Sequence, residues 1–333
     1  MHDVARLAGV GIKTVSRVVN GVPTVAPELA ARVHAAAEQL GYRPNLTASN
    51  LRRGDRRTNT IGLLVEDVGN PFSAAVHRAI EEEALTRGVM MLSGSLEENP
   101  VRERELARAL IARRVDGLIV APGDTDYRWI VAEQQAGVAF VFIDRIPNPL
   151  VADAITTDNV GGASAAVAHL IRGGRRHVAY LGDDLRIQTA AARYDGFRHA
   201  LTAAGLEEDV RCVRHGLRTL DDARDAALEI LDVDPQPDAL FCSQNLVTIG
   251  AVAAIHQRRL EFDVALVGFD DFLLSDVLRP GVTVVAQDTA AIGRRAAQRL
   301  FARIDGDRSA PQIIRTPFEL VARGSGELAR SSA

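Results

Sequence analysis

Tryptophan occurs once, cysteine twice and methionine three times in 333 residues, and aromatic residues make up only 5%. Two cysteines, Cys212 and Cys242, cannot build the disulfide framework of a small secreted scaffold. Both are flanked by apolar, strand-like residues. They are expected to be buried thiols in a reducing compartment, neither paired nor bound to a metal. No apolar run approaches the roughly 18 residues of a membrane span, so no membrane partner is expected. No signal-peptide pattern precedes the first helical stretch, so a cytoplasmic location is expected. Catalytic signatures are also missing. There is no Gly-x-Ser-x-Gly elbow, no phosphate-binding Gly-x-x-x-x-Gly-Lys loop and no His-Glu-x-x-His helix. The eight histidines are scattered, and the acid run 81–83 spans different faces of one helix. Neither an enzyme nor a cofactor or metal site is expected.

The chain does hold ample apolar material, 47% against 25% charged residues. That is ordinary for a globular protein, and the length suggests two or three domains. Net charge is −4, which by itself argues against nucleic acid. The distribution reverses that reading. Residues 1–57 carry nine basic and four acidic residues, a net +5, which leaves −9 on the remainder. A basic head on an acidic body is the electrostatic footprint of a DNA-binding module joined to something else. Lys13, the chain's only lysine, lies in that head.

Residues 3–21, DVARLAGVGIKTVSRVVNG, describe two short helices and a tight turn. Val4, Ala5 and Ala8 on the first helix and Val15 and Val18 on the second fall where crossed helices touch. Gly9 sits at the break, where a left-handed backbone is costly for a residue with a Cβ. The polar face of the second helix presents Lys13, Thr14, Ser16, Arg17 and Asn20. This is a helix-turn-helix whose second helix can enter a DNA major groove. An ordinary helical hairpin in a core is the weaker reading, because the exposed face is basic and rich in donors. A third helix has Pro27 in its first turn, Leu29, Val33 and Leu40 at helical spacing, and Gly41 as a stop. Ala26 precedes it without a side-chain oxygen, so its start is expected to be poorly capped.

From Thr60 the pattern becomes strand and helix in alternation. Strand-like runs lie at 61–65, 89–92, 117–121, 139–143, 178–181, 239–242, 264–267 and 282–285. Helical periods at 72–86, 102–114, 161–171, 193–204 and 289–303 fall between them. This predicts doubly wound α/β lobes with parallel sheets. Some 270 residues exceed one comfortable sheet, so two lobes are expected. Ligands in such folds sit at the carboxyl ends of strands or between lobes.

The opening motif, then LGYRPN (residues 40–45) and a short segment ending Leu51-Arg52, resembles the lactose-repressor (LacI/GalR) family of bacterial transcription regulators. The resemblance continues through IGLLVEDVGNPF (61–72), RRVDGLIV (113–120), TTDNVGGASAAVAHLI (156–171), RYDGF (193–197) and LVGFDD (266–271). It spans essentially the whole chain. It implies an all-α headpiece at 1–44, a hinge helix and linker at 45–59, and a periplasmic-binding-protein-like body at 60–325. Lobe 1 would hold about 60–156 and 287–316, lobe 2 about 157–286 and 317–325, with a disordered tail at 326–333. The chain would cross between lobes near Thr157, at 285–287 and at 316–319.

The resemblance also implies roles. Ile12 and Lys13 would reach base edges, isoleucine against a thymine methyl and lysine toward guanine O6 and N7. Thr14, Ser16, Arg17 and Asn20 would bond phosphates or nearby bases. Residues 45–51 would form the hinge helix, with Asn45 opening it. Ala48 would face the minor-groove floor, Leu51 would wedge into the central base step, and Arg52 would face the backbone. About seven helical residues are marginal alone, so this segment would order only on DNA beside a second copy. Arg193 and Asp270 would bind an effector, supported by Phe72, Asp144, Arg218, Gln244 and Gln287. An inter-lobe salt bridge is the alternative for Arg193 and Asp270.

Four departures matter. The family has residues and a hydroxyl cap before the DVA motif, whereas this chain starts at Met1, so a weaker first helix is expected. Gly11 stands where serine is common. Gln244-Asn245 replaces the usual Asn-Asp, and Arg218 falls where an aromatic stacks on the ligand. Arg218 favours a carboxylate or phosphate on an otherwise sugar-like effector. The expected partners are operator DNA, a small-molecule effector and a second copy of the chain. The residues after the last strand lack heptads, so a dimer is expected rather than a coiled-coil tetramer. A transport solute-binding protein, or an α/β enzyme with a DNA-binding head, is the competing class.

Overall fold

The computed structural model describes residues 1–19, 24–42, 57–123 and 126–328. Asn20, Asn45, Ala48, Leu51 and Arg52 lie outside the described residues. Two compact units meet at the sequence boundary between Asn59 and Thr60.

The first unit contains α1 (His2–Ala8), α2 (Ile12–Val19) and α3 (Pro27–Gln39). Val4, Ala8, Val15, Val18, Val33 and Ala36 form its core. Gly9 ends α1 in the left-handed conformation, φ 61°. A Cβ there would lie 2.6 Å from Arg32 Nη2, which donates to the Ala8 carbonyl. The turn thus needs glycine for both its backbone angle and its neighbour. Neither Met1 nor Ala26 supplies a side-chain cap. Leu40 departs from the predicted core pattern. It is the C-cap of α3 and stays 45% exposed, while Ala36, one turn earlier, is buried.

The second unit holds two six-stranded sheets. Lobe 1 orders its strands β11-β5-β4-β3-β1-β2, with β1 Thr60–Val65, β2 Met90–Ser95, β3 Gly117–Val120, β4 Ala139–Ile143, β5 Asp153–Thr157 and β11 Ile313–Thr316. Lobe 2 orders them β12-β10-β9-β8-β6-β7, with β6 Val178–Leu181, β7 Val213–Arg214, β8 Ala239–Cys242, β9 Ala265–Phe269, β10 Thr283–Gln287 and β12 Phe318–Val321. Among the described residues every strand pairing is parallel except β10 with β12. That edge departs from the all-parallel expectation because the chain arrives from β11 and runs straight on into β12. The sheets change after β5, after β10 and between β11 and β12.

Alternation along the strands explains the layers. Ile61, Leu63 and Val65 face α4 (Pro71–Thr86) and α11 (Thr289–Ile304), while Leu64 joins Leu118, Phe140 and Phe142 on the opposite face. In lobe 2, Tyr180, Phe241 and Phe269 face α7 (Asn159–Arg172) and α8 (Gln188–Ala203). Leu181, Leu240 and Leu266 face α9 (Leu220–Leu231) and α10 (Asn245–Arg258). Gly196 lets α7 and α8 approach, since a Cβ there would lie 2.4 Å from the Val160 carbonyl. The remaining helices are α5 (Pro100–Ala112) and α6 (Ile130–Gln135).

Residues 326–328 are not a disordered tail. Glu327 accepts from Thr283 Oγ1 at 2.9 Å, and Arg175 donates to the Leu328 carbonyl at 2.9 Å. These bonds seat the segment on lobe 2.

Candidate functional site

In the headpiece, Val15 and Val18 turn inward and set the opposite face outward by helical geometry. Ile12, Lys13 and Arg17 are exposed, and Thr14 and Ser16 are half-buried. The Gly11 carbonyl accepts from the backbone N–H groups of Thr14 and Val15, at 2.8 and 3.2 Å. A Cβ at Gly11 would meet nothing within 4 Å. The first turn of α2 thus projects an apolar and a cationic side chain side by side.

In the second unit, a cleft lined by both polar and apolar side chains opens between the lobes. Its walls are strand ends and helix starts. Phe72, Asp144, Arg193, Arg218, Gln244 and Asp270 all line it. Gln287 is not among the lining residues. It stands behind the wall and donates to Asp270 Oδ1 at 2.7 Å.

Arg193 is held in the wall by three hydrogen bonds. Its Nε donates to Asn159 Oδ1 at 2.8 Å. Its Nη1 donates to the Ser243 carbonyl at 2.7 Å and to Asp270 Oδ2 at 3.2 Å. The guanidinium lies 3.8 Å above the centre of the Phe269 ring. Arg193 and Asp270 pair within lobe 2, so they do not form the inter-lobe bridge weighed as their alternative. Burial pushes the Asp270 carboxyl upward, against the pull of Arg193.

Asp144 and Asp270 occupy matching positions in the two lobes. Each follows a central strand in the left-handed region, φ 68° and 69°. Each donates its backbone N–H to the neighbouring strand, to Ile155 at 2.9 Å and to Val285 at 2.8 Å. This conformation is uncommon for a residue with a Cβ. It turns both carboxylates into the cleft.

The sequence reading overlooked several lining residues. Asn70 and Asn245 bond each other across the cleft. Arg145, its side chain 11% exposed, forks onto Glu98, with Nη1 to Oε2 at 2.8 Å, while its Nε faces Asp144 at 3.3 Å. Glu66, at the end of β1, stands 3.9 Å from Arg218. Burial, Glu98 and Asp67 push its carboxyl up to about 7, against Arg145 and Arg218. Asp183, after β6, is likewise raised by burial. The available signal was position, since Glu66, Arg145 and Asp183 lie within two residues of a strand end and Asn70 and Asn245 stand at helix starts. Among the described residues, five carboxyl groups line the cleft against three guanidinium groups, and two of those three are paired with acids, Arg145 with Glu98 and Arg193 with Asp270.

A helix-turn-helix unit joined in one chain to a two-lobed body with a cleft between its lobes defines a ligand-responsive DNA-binding regulator. A family profile described as bacterial regulatory proteins, lacI family, matches residues 1–45, and a periplasmic binding protein-like domain matches 167–326. The chain is 33% identical to the HTH-type transcriptional regulator CelR of Thermobifida fusca, over 98% of both chains. A solved complex of CelR with cellobiose matches with a TM-score of 0.71 and 30% identity, over 97% of this chain and 98% of that one. The lac repressor dimer bound to operator and the anti-inducer ONPF matches with a TM-score of 0.84 and 26% identity, over 98% of each. The chain belongs to the LacI family of bacterial transcriptional regulators. No helix among the described residues is long and apolar enough to cross a membrane.

Proposed function

We propose that this regulator is a cytoplasmic repressor that binds a pseudo-palindromic operator as a homodimer and releases or tightens on it when a neutral, polyhydroxylated effector enters the cleft. The observation that carries this reading is the cluster of Arg193, Asp270, Asn70 and Asn245, whose donors and acceptors come from both lobes and line the cleft, with Asn159 behind it holding Arg193. Hydroxyl groups of a sugar match such a mixed lining, with Phe72 as an apolar wall. An anionic effector on Arg218 is less favoured. Glu66 already faces that guanidinium, and carboxyl groups outnumber cations around the ligand space. Solved relatives carry cellobiose and ONPF, which accords with a carbohydrate.

At the DNA end, Ile12 and Lys13 read bases, and Thr14, Ser16, Arg17, Asn20 and Arg52 hold the backbone. By resemblance, Asn45 opens a hinge segment in which Ala48 and Leu51 enter the minor groove. A dimer accords with exposed apolar side chains on both lobes. These are Met90 and Leu92 on the edge strand β2, and Leu273, Leu274 and Val277 on lobe 2. An effector shifts DNA affinity only by its preference for one lobe arrangement over the other.

A thermal-shift screen with neutral sugars, sugar acids and sugar phosphates tests the effector class. A neutral sugar at 100 times its dissociation constant adds about 2.7 kcal/mol of stability. Stabilisation by sugar acids or phosphates alone would restore Arg218 as an anion-binding residue and overturn the neutral class.

A further inference from the structure

A second constellation lies away from the cleft, where β6 pairs with β7. His177 immediately precedes β6. Asp209 caps the 3-10 turn Val210–Cys212, accepting from the Arg211 backbone N–H at 3.0 Å, and Cys212 ends that turn. His177 Nε2 stands 3.2 Å from Asp209 Oδ2 and 3.5 Å from Cys212 Sγ. All three atoms lie within 4.8 Å of one another, and among the described residues no other group of His, Cys, Asp and Glu converges so closely.

Hydrogen bonding serves this trio poorly. A protonated Nε2 must divide its one hydrogen between oxygen and sulfur. A bare Nε2 can accept from the thiol but then opposes its lone pair to the carboxylate. A cation at the centre satisfies all three atoms. Metal–ligand bonds of about 2.0–2.3 Å in a tetrahedron separate ligand atoms by roughly 3.3–3.7 Å. Both measured edges fall at or beside that range.

We propose that His177, Asp209 and Cys212 form a site for a borderline divalent transition metal such as Zn²⁺, with the fourth position left to water. Nitrogen, carboxylate and thiolate donors in one tripod suit that class of ion better than Mg²⁺ or Ca²⁺. Burial and the Asp209 carboxylate push the Cys212 thiol upward. Metal binding therefore forms the metal–sulfur bond as the thiol proton leaves to solvent. Arg211 forks onto Asp209, Nε to Oδ1 at 3.0 Å and Nη2 to Oδ2 at 2.7 Å. It fixes the carboxylate plane while opposing the ion's charge, and the released thiol proton offsets that opposition. His177 and Asp209 are about one-fifth exposed, at 23% and 20%, which gives the ion a path to the buried sulfur. Cys212 then departs from the inert thiol expected of it, while Cys242 remains one. The segment held by the ion runs through β7 to Arg218, so the site reaches the effector cleft along the chain.

The test is a Co²⁺ titration of the full-length, chelator-treated protein, read by absorption. The expected result is one Co²⁺ per chain, with the visible bands of four-coordinate cobalt and a near-ultraviolet thiolate-to-cobalt band, both removed by Zn²⁺. Cys212→Ser removes the thiolate band, and Cys242→Ser leaves it. If Cys212→Ser does not fold, His177→Gln and Asp209→Asn decide, each weakening Co²⁺ binding at least about tenfold. Absent bands in the wild type, a thiolate band that survives Cys212→Ser, or unchanged affinity in the other two variants would each overturn the site and leave a hydrogen-bonded cluster.

Discussion

Asn70 and Asn245 form a reciprocal amide pair between the two lobes. Asn245 Nδ2 donates to Asn70 Oδ1 at 3.0 Å, and Asn70 Nδ2 donates to Asn245 Oδ1 at 3.3 Å. Each also serves the start of its own helix, Asn70 accepting from Phe72 N at 2.9 Å and Asn245 from Leu246 N at 2.7 Å. Only an amide donates and accepts on both sides. The pair therefore holds the lobes together and fixes two cleft walls at once.

Asn245→Asp separates these roles. The carboxylate keeps both acceptor functions but cannot donate to Asn70, and it adds charge to an acid-rich cleft. The expected outcome is a loss of about 1 kcal/mol in effector binding, roughly fivefold in dissociation constant, measured by calorimetry. A tighter complex in the variant would show that the lobe clasp does not matter.

Arg193→Met removes three hydrogen bonds and leaves Asp270 buried without its cation. The variant is expected to lose about 3–5 kcal/mol of stability, measured by urea denaturation. Arg193→Lys rescues little, because one ammonium cannot reach Asn159, Ser243 and Asp270 from the positions of a planar fork. Arg193→Met paired with Asp270→Leu recovers part of the stability while binding no effector.

The pH dependence has a definite sign. Glu66 titrates near 7 in the folded chain against an ordinary 4.5, so the folded state holds the proton more tightly. Its contribution is complete below 4.5 and declines as pH rises through about 7. Asp270 and Asp183 are raised in the same direction. Asp153 behaves oppositely, held low by Arg303 and Arg299 against its burial, and its contribution falls away in acid. Melting temperatures of wild type and Glu66→Gln, compared from pH 5 to pH 8, isolate the Glu66 part. The variant is expected to gain on the wild type as pH rises. Parallel curves would remove Glu66 from this role.

At the DNA end, Gly11→Ser places a hydroxyl in open space at the start of α2. It is expected to add a few tenths of a kcal/mol to headpiece stability and to strengthen binding to any DNA sequence. Lys13→Ala is expected to relax discrimination at one position in each half-site. A uniform loss across sequences would make Lys13 a phosphate contact.

The regular parts of the fold were legible because burial on both sheet faces leaves plain apolar runs, as at 61–65 and 239–242. Strands outside that rule escaped. β5 begins with Asp153, a buried carboxylate made tolerable by Arg299 and Arg303. β7 has two residues, and β11 and β12 have four each, interrupted by Arg315 and Glu319 and largely half-exposed or exposed. In the cleft, Arg193 and Asp270 were found through their motifs, RYDGF and LVGFDD. Asn70 and Asn245 were not, because an asparagine at a helix start reads as a cap. Only the tertiary structure shows that Asn70, the cap of α4, and Asn245, the first residue of α10, face one another. The acidic balance of the cleft was hidden for the same reason, since Glu66, Glu98, Asp144 and Asp183 come from four separate strand ends.

The central claim is that one ligand couples the cleft to DNA. It is tested by fluorescence anisotropy on DNA from upstream of the gene, using the full-length protein with and without the ligand found by thermal shift. The expected result is a change in DNA affinity of at least about fivefold with ligand, absent in Asp270→Asn although that variant still binds the DNA. A ligand that stabilises the wild-type protein yet leaves its DNA affinity unchanged would contradict the account.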